Sequence, residues 1–325
     1  MSTAHHLLAL VGVLLVGTEA ARAEAPATVA GDLPATTSAL ERRPPRPRAP
    51  LVPRERTRVA VLTYHDIGTP IDRRTVDPRM FEVHMASLSA NDVSVVRLSE
   101  LIEFLEGTRL LPERAAVLMF DDGDSRMATS IVPLLERLGF PYTLSLPTSP
   151  VNFASRPDRN GAEGRIFDWQ GVRRLVATGL CEAESHGHFH ESLEPNNKYT
   201  RATELLRSRE LIASNVGVPP RAFVFPMGYV YRGSNDDLAA AGYRAGLTTR
   251  QASVGFDTDR FQIPRIMIDG DVTKGLVTFL LRRVGVLAPE PAATLLEEVK
   301  RRRPGPTRDF ARIARPGGTP HRVAR

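Results

Sequence analysis

A run of apolar residues that stops at two carboxylates limits what this chain can fold into. Val117-Leu118-Met119-Phe120 is followed by Asp121-Asp122-Gly123-Asp124. A short, continuous apolar run bounded by turn-forming residues reads as a buried strand. Gly123 permits a sharp backbone turn after it. Carboxylates at the C-terminal end of a parallel strand stand where α/β proteins place their chemistry. Two of them facing one site cannot both stay ionised without a cation or a shared proton. The same residues also fit an Asx turn or a helix N-cap, so the rest of the chain has to decide.

The pattern recurs. Strands are expected over Val59–Tyr64, Val93–Leu98, Ala115–Phe120, Tyr142–Leu146, Leu180–Ala183, Ala222–Phe225, Arg244–Thr248 and Ile263–Ile268. Helices are expected over Phe81–Ala90, from Ser99 through Glu106, over Ser125–Leu138, from Asp168 through Ala177, and over Thr200–Asn215, Asp236–Ala241 and Lys274–Val284. Gly139 fits a helix C-terminus, and residues 147–167 read as a long loop of the kind that often serves function. The alternation argues for an α/β fold with a parallel sheet closed as a barrel, an open doubly wound sheet being the alternative. In a barrel the strand ends converge on one face. His65-Asp66, Asp121-Asp122, Ser185-His186 and Pro226 all fall at such ends.

The flanks differ from this core. Residues 1–23 read as a secretory signal: Leu7–Val16 is apolar but too short to span a bilayer, and Ala21-Arg22-Ala23 offers a small-x-small cleavage pattern. An uncleaved anchor is the alternative, because the segment before Leu7 has no Lys or Arg. Residues 24–57, rich in Pro, Ala, Thr and Arg, read as an extended linker, 58–290 as a single catalytic domain, and 291–325 as a basic, disordered tail. Nine Lys or Arg against one Asp lie between Lys300 and Arg325. The net charge of +6 therefore belongs to the ends, which argues against a nucleic-acid enzyme and leaves tail contact with anionic envelope material open. Cys181 is the only cysteine, so no intrachain disulfide can form, and its apolar surroundings make it a core residue.

Glu184-Ser185-His186-Gly187-His188-Phe189-His190 holds three of the eight histidines. In an extended strand all three would face one side. In a helical turn only His186 and His190 would, being four apart. Gly187 favours a turn, so His186 and His190 are expected to form a pair with His188 pointing elsewhere. Two His and one carboxylate make a common open metal site.

Taken together, these residues resemble the polysaccharide deacetylases, the NodB-like carbohydrate esterases. Phe120-Asp121-Asp122-Gly123 resembles their T-F-D-D-G motif with Met119 in place of Thr, and Ser185-His186 through His190 resembles S-H-T-x-x-H. Phe225-Pro226-Met227-Gly228 is similar to the later P-Y-G motif with Met227 for Tyr. Tyr64-His65-Asp66-Ile67, with the helix begun by Phe81, resembles the branch that deacetylates poly-N-acetylglucosamine in bacterial envelopes. The likeness covers about residues 58–285 and implies a distorted (β/α)7-type barrel. It implies Asp121 as general base, and Asp122, His186 and His190 as ligands of a divalent metal, most often zinc. It also implies the Met227 backbone N–H as oxyanion donor. Many members use a late Leu-x-His as acid, which is absent here, with no His between His190 and His321; the resemblance to the envelope branch, which uses the His of its early Y/W-H-D, implies His65 as general acid.

Some positions depart from the family. The Arg that often precedes the P-Y-G motif is absent, with Phe223 nearby. Arg265 is then a candidate contact to the base or the sugar, or a structural ion pair. Asp66 can orient His65 or cap the following turn. Asp124 can perturb Asp121 or cap the helix, and His84 stands apart. The function implied is an exported, periplasmic or extracellular, metal-dependent hydrolase that removes N-acetyl groups from an envelope polysaccharide. The alternatives are a same-fold amidase acting on peptidoglycan or another C–N amide, and a degenerate barrel that binds or exports glycan.

Overall fold

A computed structural model describes residues 49–287, apart from 69–72, 154–165, 194–197, 271–273 and 284. The signal segment and the basic tail lie outside the described residues. Among the described residues there are ten strands: β1 Arg58–Tyr64, β2 Asp66–Ile67, β3 Thr75–Val76, β4 Ser94–Val95, β5 Arg114–Asp121, β6 Tyr142–Leu146, β7 Cys181–Ser185, β8 Ala222–Val224, β9 Ala245–Leu247 and β10 Ile266–Met267. The main sheet runs β10-β1-β5-β6-β7-β8-β9, all parallel, with β4 added beside β5 and β2-β3 as a separate ladder. All eight strands read from the apolar runs join this sheet; seven form its main path, in line with the (β/α)7-type expectation, and the eighth, β4, stands beside β5. The run Val93–Leu98 yields only the two residues of β4, because Leu98 already belongs to a helix.

The helices between the strands are α1 Pro78–Ala90, α2 Leu98–Leu105, α3 Met127–Ser130, α4 Val132–Leu138, α5 Thr148–Phe153, α6 Trp169–Ala177, α7 Lys198–Ala202, α8 Ser208–Val216, α9 Ser234–Ala240 and α10 Lys274–Arg283. Two expected helices are broken. The one over Ser125–Leu138 is interrupted at Ile131, φ −129°, where Pro133 follows within the first turn of α4. Proline has no N–H for the preceding turn and its ring crowds it. The one over Thr200–Asn215 contains a π-helical turn, Thr203–Arg207, between α7 and α8. Asp168 caps α6 as expected, accepting the Gly171 N–H at 2.7 Å, and Gly139 closes α4 in the left-handed conformation. The expected loop after β6 begins instead with α5.

Why both faces of the central strands are apolar is now clear. Ala60, Leu62 and Tyr64 of β1 and Ala116, Leu118 and Phe120 of β5 join the core beneath the helices. Val59, Val61, Ala115, Val117 and Met119 point the other way, into a second core with Val224, Leu247 and the apolar side of α2. Side chains alternate along a strand, so Asp121 falls on the Val117–Met119 side, at the end of the inner row.

The two ends of the curled sheet are joined by one irregular segment. Ile263 bridges to Leu247 of β9, and three residues later Ile266 pairs with Leu62 of β1. At the opposite end of the domain the expected linker is ordered earlier than Arg58. Leu51 bridges to Pro112, Arg54 donates to the Phe104 carbonyl at 2.7 Å, and Thr57 is buried.

Phe120 touches Tyr64, Phe81 and Tyr142 within one aromatic cluster. Phe120→Ala is expected to cost about 3–5 kcal/mol of stability, read as a lower denaturation midpoint, because three rings lose their common neighbour directly beneath the site.

Candidate active site

Each strand end delivers one part of the site. β1 ends at Tyr64, which pairs with Phe120 of β5, so His65 and Asp121 are carried side by side. His65 Nε2 lies 3.9 Å from Asp121 Oδ2. β6 pairs Ser145 with Asp121, and the Ser145 hydroxyl donates to the Asp121 carboxylate. Past β7, His186 turns its Nε2 to within 3.8 Å of both Asp121 Oδ2 and Asp122 Oδ1. His190 Nε2 lies 3.4 Å from Asp122 Oδ1 and 3.1 Å from His186 Nε2.

Asp122, His186 and His190 each offer one ligand atom, and these atoms lie within 4.8 Å of one another. The remaining ring nitrogen of His186, Nδ1, bonds to the Val224 carbonyl at 2.8 Å, which fixes the tautomer and leaves Nε2 free as a ligand. Burial lowers the His186 pKa, against the pull of Asp121 and Asp122 in the other direction, and the neutral ring is the one that binds metal. These residues fit a divalent cation. His188 instead bonds Thr148 Oγ1 through Nδ1 at 2.8 Å, so the pairing expected of the cluster is present. The backbone behind it is not a helical turn: Gly187 has φ +82° and His190 φ +63°.

Left-handed backbone recurs at the site. Asp122 (φ 65°), His190 (φ 63°) and Met227 (φ 56°) are three of the four non-glycine residues with positive φ among those described. Such a conformation costs a non-glycine residue about 1–2 kcal/mol, and strain of this kind clusters at functional sites. Met227 follows Pro226 in a single 3-10 turn, and its side chain is exposed.

Arg265 is the contact that the sequence left most open. It is 1% exposed. Its Nη1 donates to Asp121 Oδ2 at 2.7 Å and to Oδ1 at 3.0 Å, and its Nε donates to the Thr248 carbonyl at 2.9 Å. The structure makes it a buried ion pair with Asp121, the residue that the resemblance implies as base. Burial on its own would raise the Asp121 pKa, but the Arg265 guanidinium, with His186, His65 and the Ser145 hydroxyl, outweighs it and holds the carboxyl well below the usual range. Asp121 is therefore an anion throughout the physiological range.

Among the described residues, Asp66 has a partner that the sequence did not suggest. Its carboxylate goes to Arg126 (Oδ1 to Nη2, 3.3 Å) and its backbone pairs with β3. Arg126 also holds Asp124, at 2.6 Å, and Asp124 accepts the N–H of Ile67 and of Arg126. Asp124 thus caps its turn and ties the loop after β5 to the His65 loop. His84 is buried against Tyr64, with Tyr64 Oη 3.3 Å from its Nδ1, and Cys181 is buried with its thiol pKa raised by that burial. The sequence reading missed Ser145 and Arg126. Small polar residues at alternate positions of an apolar strand, Thr143 and Ser145, were a usable signal for the first. A lone Arg after Asp124 offered none.

Removing Arg265 tests the pair. Asp121 has a depressed folded pKa, so the pair contributes stability above the ordinary carboxylate range, lost only as pH falls through the depressed value. Arg265→Gln leaves a buried carboxylate without its counter-charge, a loss of about 3–5 kcal/mol near neutrality. Denaturation of both proteins at pH 4 and pH 7 is expected to show the gap widening with pH, because the variant's Asp121 must give up a proton it now favours.

Comparisons with known proteins bear on the family and the fold. Residues 109–246 match the profile of the Polysaccharide deacetylase family. A poly-β-1,6-N-acetyl-D-glucosamine N-deacetylase of Staphylococcus epidermidis is 26% identical over 219 residues, covering 64% of this chain and 72% of that protein. The enzyme of the same name from Staphylococcus aureus is 24% identical over 228 residues, covering 66% and 75%. Among solved structures, a de-N-acetylase from Aggregatibacter actinomycetemcomitans superposes with a TM-score of 0.60 at 22% identity, over 69% of this chain and 100% of that one. IcaB from Ammonifex degensii gives 0.60 at 21%, over 69% and 97%. The profile match spans β5 to β9, the strands that deliver the carboxylate pair, the two histidines and Pro226, and the relatives extend it further. The chain carries a polysaccharide deacetylase domain and is a hydrolase of carbon–nitrogen bonds other than peptide bonds.

Proposed function

We propose that this hydrolase is a metal-dependent de-N-acetylase of an extracellular polysaccharide, with β-1,6-linked poly-N-acetylglucosamine as the leading substrate. The convergence of Asp122, His186 and His190 beside a second, ionised carboxylate carries the reading. The named activity of the staphylococcal relatives supports the choice of glycan. A bound divalent cation, with zinc the choice for this donor set, supplies a Lewis acid for the acetamide carbonyl and lowers the pKa of the attacking water.

The chain's own residues have separate tasks. Asp122, His186 and His190 hold the cation. Asp121, kept ionised by Arg265 and aligned by Ser145, accepts the proton of the attacking water. The low basicity that Arg265 imposes limits the driving force for that transfer, so position has to make up for it. The Met227 N–H is the donor for the developing oxyanion, in a turn whose left-handed backbone re-aims the peptide. His65, whose side chain is 16% exposed beside Asp121, protonates the leaving amine.

Residues 1–23 are proposed to direct export, placing the enzyme in the periplasm or outside the cell. A fusion of residues 1–30 to a reporter active only after export is expected to give signal, and an inactive fusion retained in the cytoplasm would reject that part of the reading.

Acetate release from a panel of N-acetylated glycans and peptidoglycan fragments, with and without chelator, tests the activity. Chelator-sensitive release from the β-1,6-linked polymer is expected, and release from peptidoglycan alone would favour the amidase alternative. In the same assay Asp121→Asn is expected to keep its metal while turnover falls about a hundredfold or more. Asp122→Asn, His186→Ala and His190→Ala should instead lose metal, and His188→Ala should lose less. His65→Ala should remove the alkaline limb of the pH–rate profile, where a general acid deprotonates. A variant that keeps that limb and near-normal turnover would exclude His65 as the acid.

A further inference from the structure

The loop that carries His186 and His190 is held by a residue that touches neither ring. Glu204 is fully buried and lies in the π-helical turn Thr203–Arg207. One of its oxygens accepts the backbone N–H of His188 at 2.7 Å, the other that of Phe189 at 2.8 Å, and the N–H of Glu191 adds a further bond. Burial raises the Glu204 pKa, and these three amide bonds pull the other way, toward the carboxylate. Room for this carboxylate exists because residue 187 has no side chain: a Cβ on Gly187 would fall inside the van der Waals shell of Glu204 Oε2. Single π-helical turns inside α-helical segments are rare and frequent at functional sites. Here the same segment also holds the start of the loop, where Ser185 Oγ donates to Ser208 Oγ at 2.7 Å.

The two imidazoles differ in how they are anchored. His186 has its own bond from Nδ1 to the Val224 carbonyl. Among the described residues, the polar contacts of the His190 ring are to His186 and Asp122, on a backbone at φ +63°. Its position relative to His186 is therefore set by the main chain between them, and that main chain is what Glu204 grips.

We propose that Glu204 is a positioning residue for the metal site: its carboxylate clamps the His188 and Phe189 amides and fixes the spacing of His186 and His190 before a cation arrives. The inference rests on the metal-binding reading above.

The test uses the full chain and Glu204→Gln, which keeps the size but turns an NH2 group toward one of the two N–H donors. Zinc affinity, measured by competition with a chromophoric chelator, is expected to fall about 10–100-fold. Hydrogen exchange of the 186–191 segment in metal-free protein is expected to speed up. If Glu204→Gln does not fold, Gly187→Ala, whose Cβ pushes the carboxylate aside, carries the same expectation. A wild-type chain that takes up no zinc, like His186→Ala, sinks the metal reading and the proposal with it. A wild type that binds zinc no more tightly than Glu204→Gln overturns the clamp alone, whatever the change in Tm.

Discussion

The buried pair of Arg265 and Asp121 sets the terms for everything around it. A carboxylate removed from water is unstable as an anion unless a counter-charge and hydrogen bonds replace its hydration. Arg265, Ser145 and the flanking imidazoles do this for Asp121. The pair also links the middle of the sheet to its closing segment, since Asp121 ends β5 and Arg265 precedes β10. The charge that the chemistry needs and the closure that the fold needs are thus one contact.

Around that pair the site divides labour by backbone as much as by side chain. Asp121 is the last regular residue of its strand, while Asp122 leaves it in a left-handed conformation and so faces a different partner. Two adjacent and chemically identical residues acquire opposite surroundings, one sealed against Arg265 and the other 34% exposed toward the histidines. Adjacent carboxylates on one extended strand would point to opposite faces. The single left-handed residue brings both to the same site.

Much of this was legible in the sequence. Period and apolar runs located nearly every strand and helix, because β1 and β5 are buried on both faces and leave no polar interruption. The four strand-end clusters announced where the site would be. What escaped reading has physical causes. Pro133 lay in view but was absorbed into a longer apolar periodicity that it breaks. Arg265 was in view with several roles open, and only the sheet order, with β10 beside β1, brings it to Asp121. The fate of Asp66 depended on Arg126, which is distant in sequence and unmarked by any motif. Side-chain partners across loops are set by tertiary approach, and a single sequence does not encode that visibly.

The segment joining β9 to β1 has a consequence for how the molecule is made. Leu62 and Ile266 are about two hundred residues apart, so the contact that completes the sheet is also one of the most non-local, and such contacts are entropically slow to form. During synthesis the amino-terminal strand and Asp121 exist long before residue 265 does. Until that segment docks, the inner row of β5 ends in a carboxylate with no arginine and the sheet has two unpaired edges. An incomplete chain thereby lacks both the last strand pairing and the counter-charge that lets the Asp121 carboxylate be buried. Closure of the sheet and arrival of the counter-charge for Asp121 are therefore a single late event in the making of the chain.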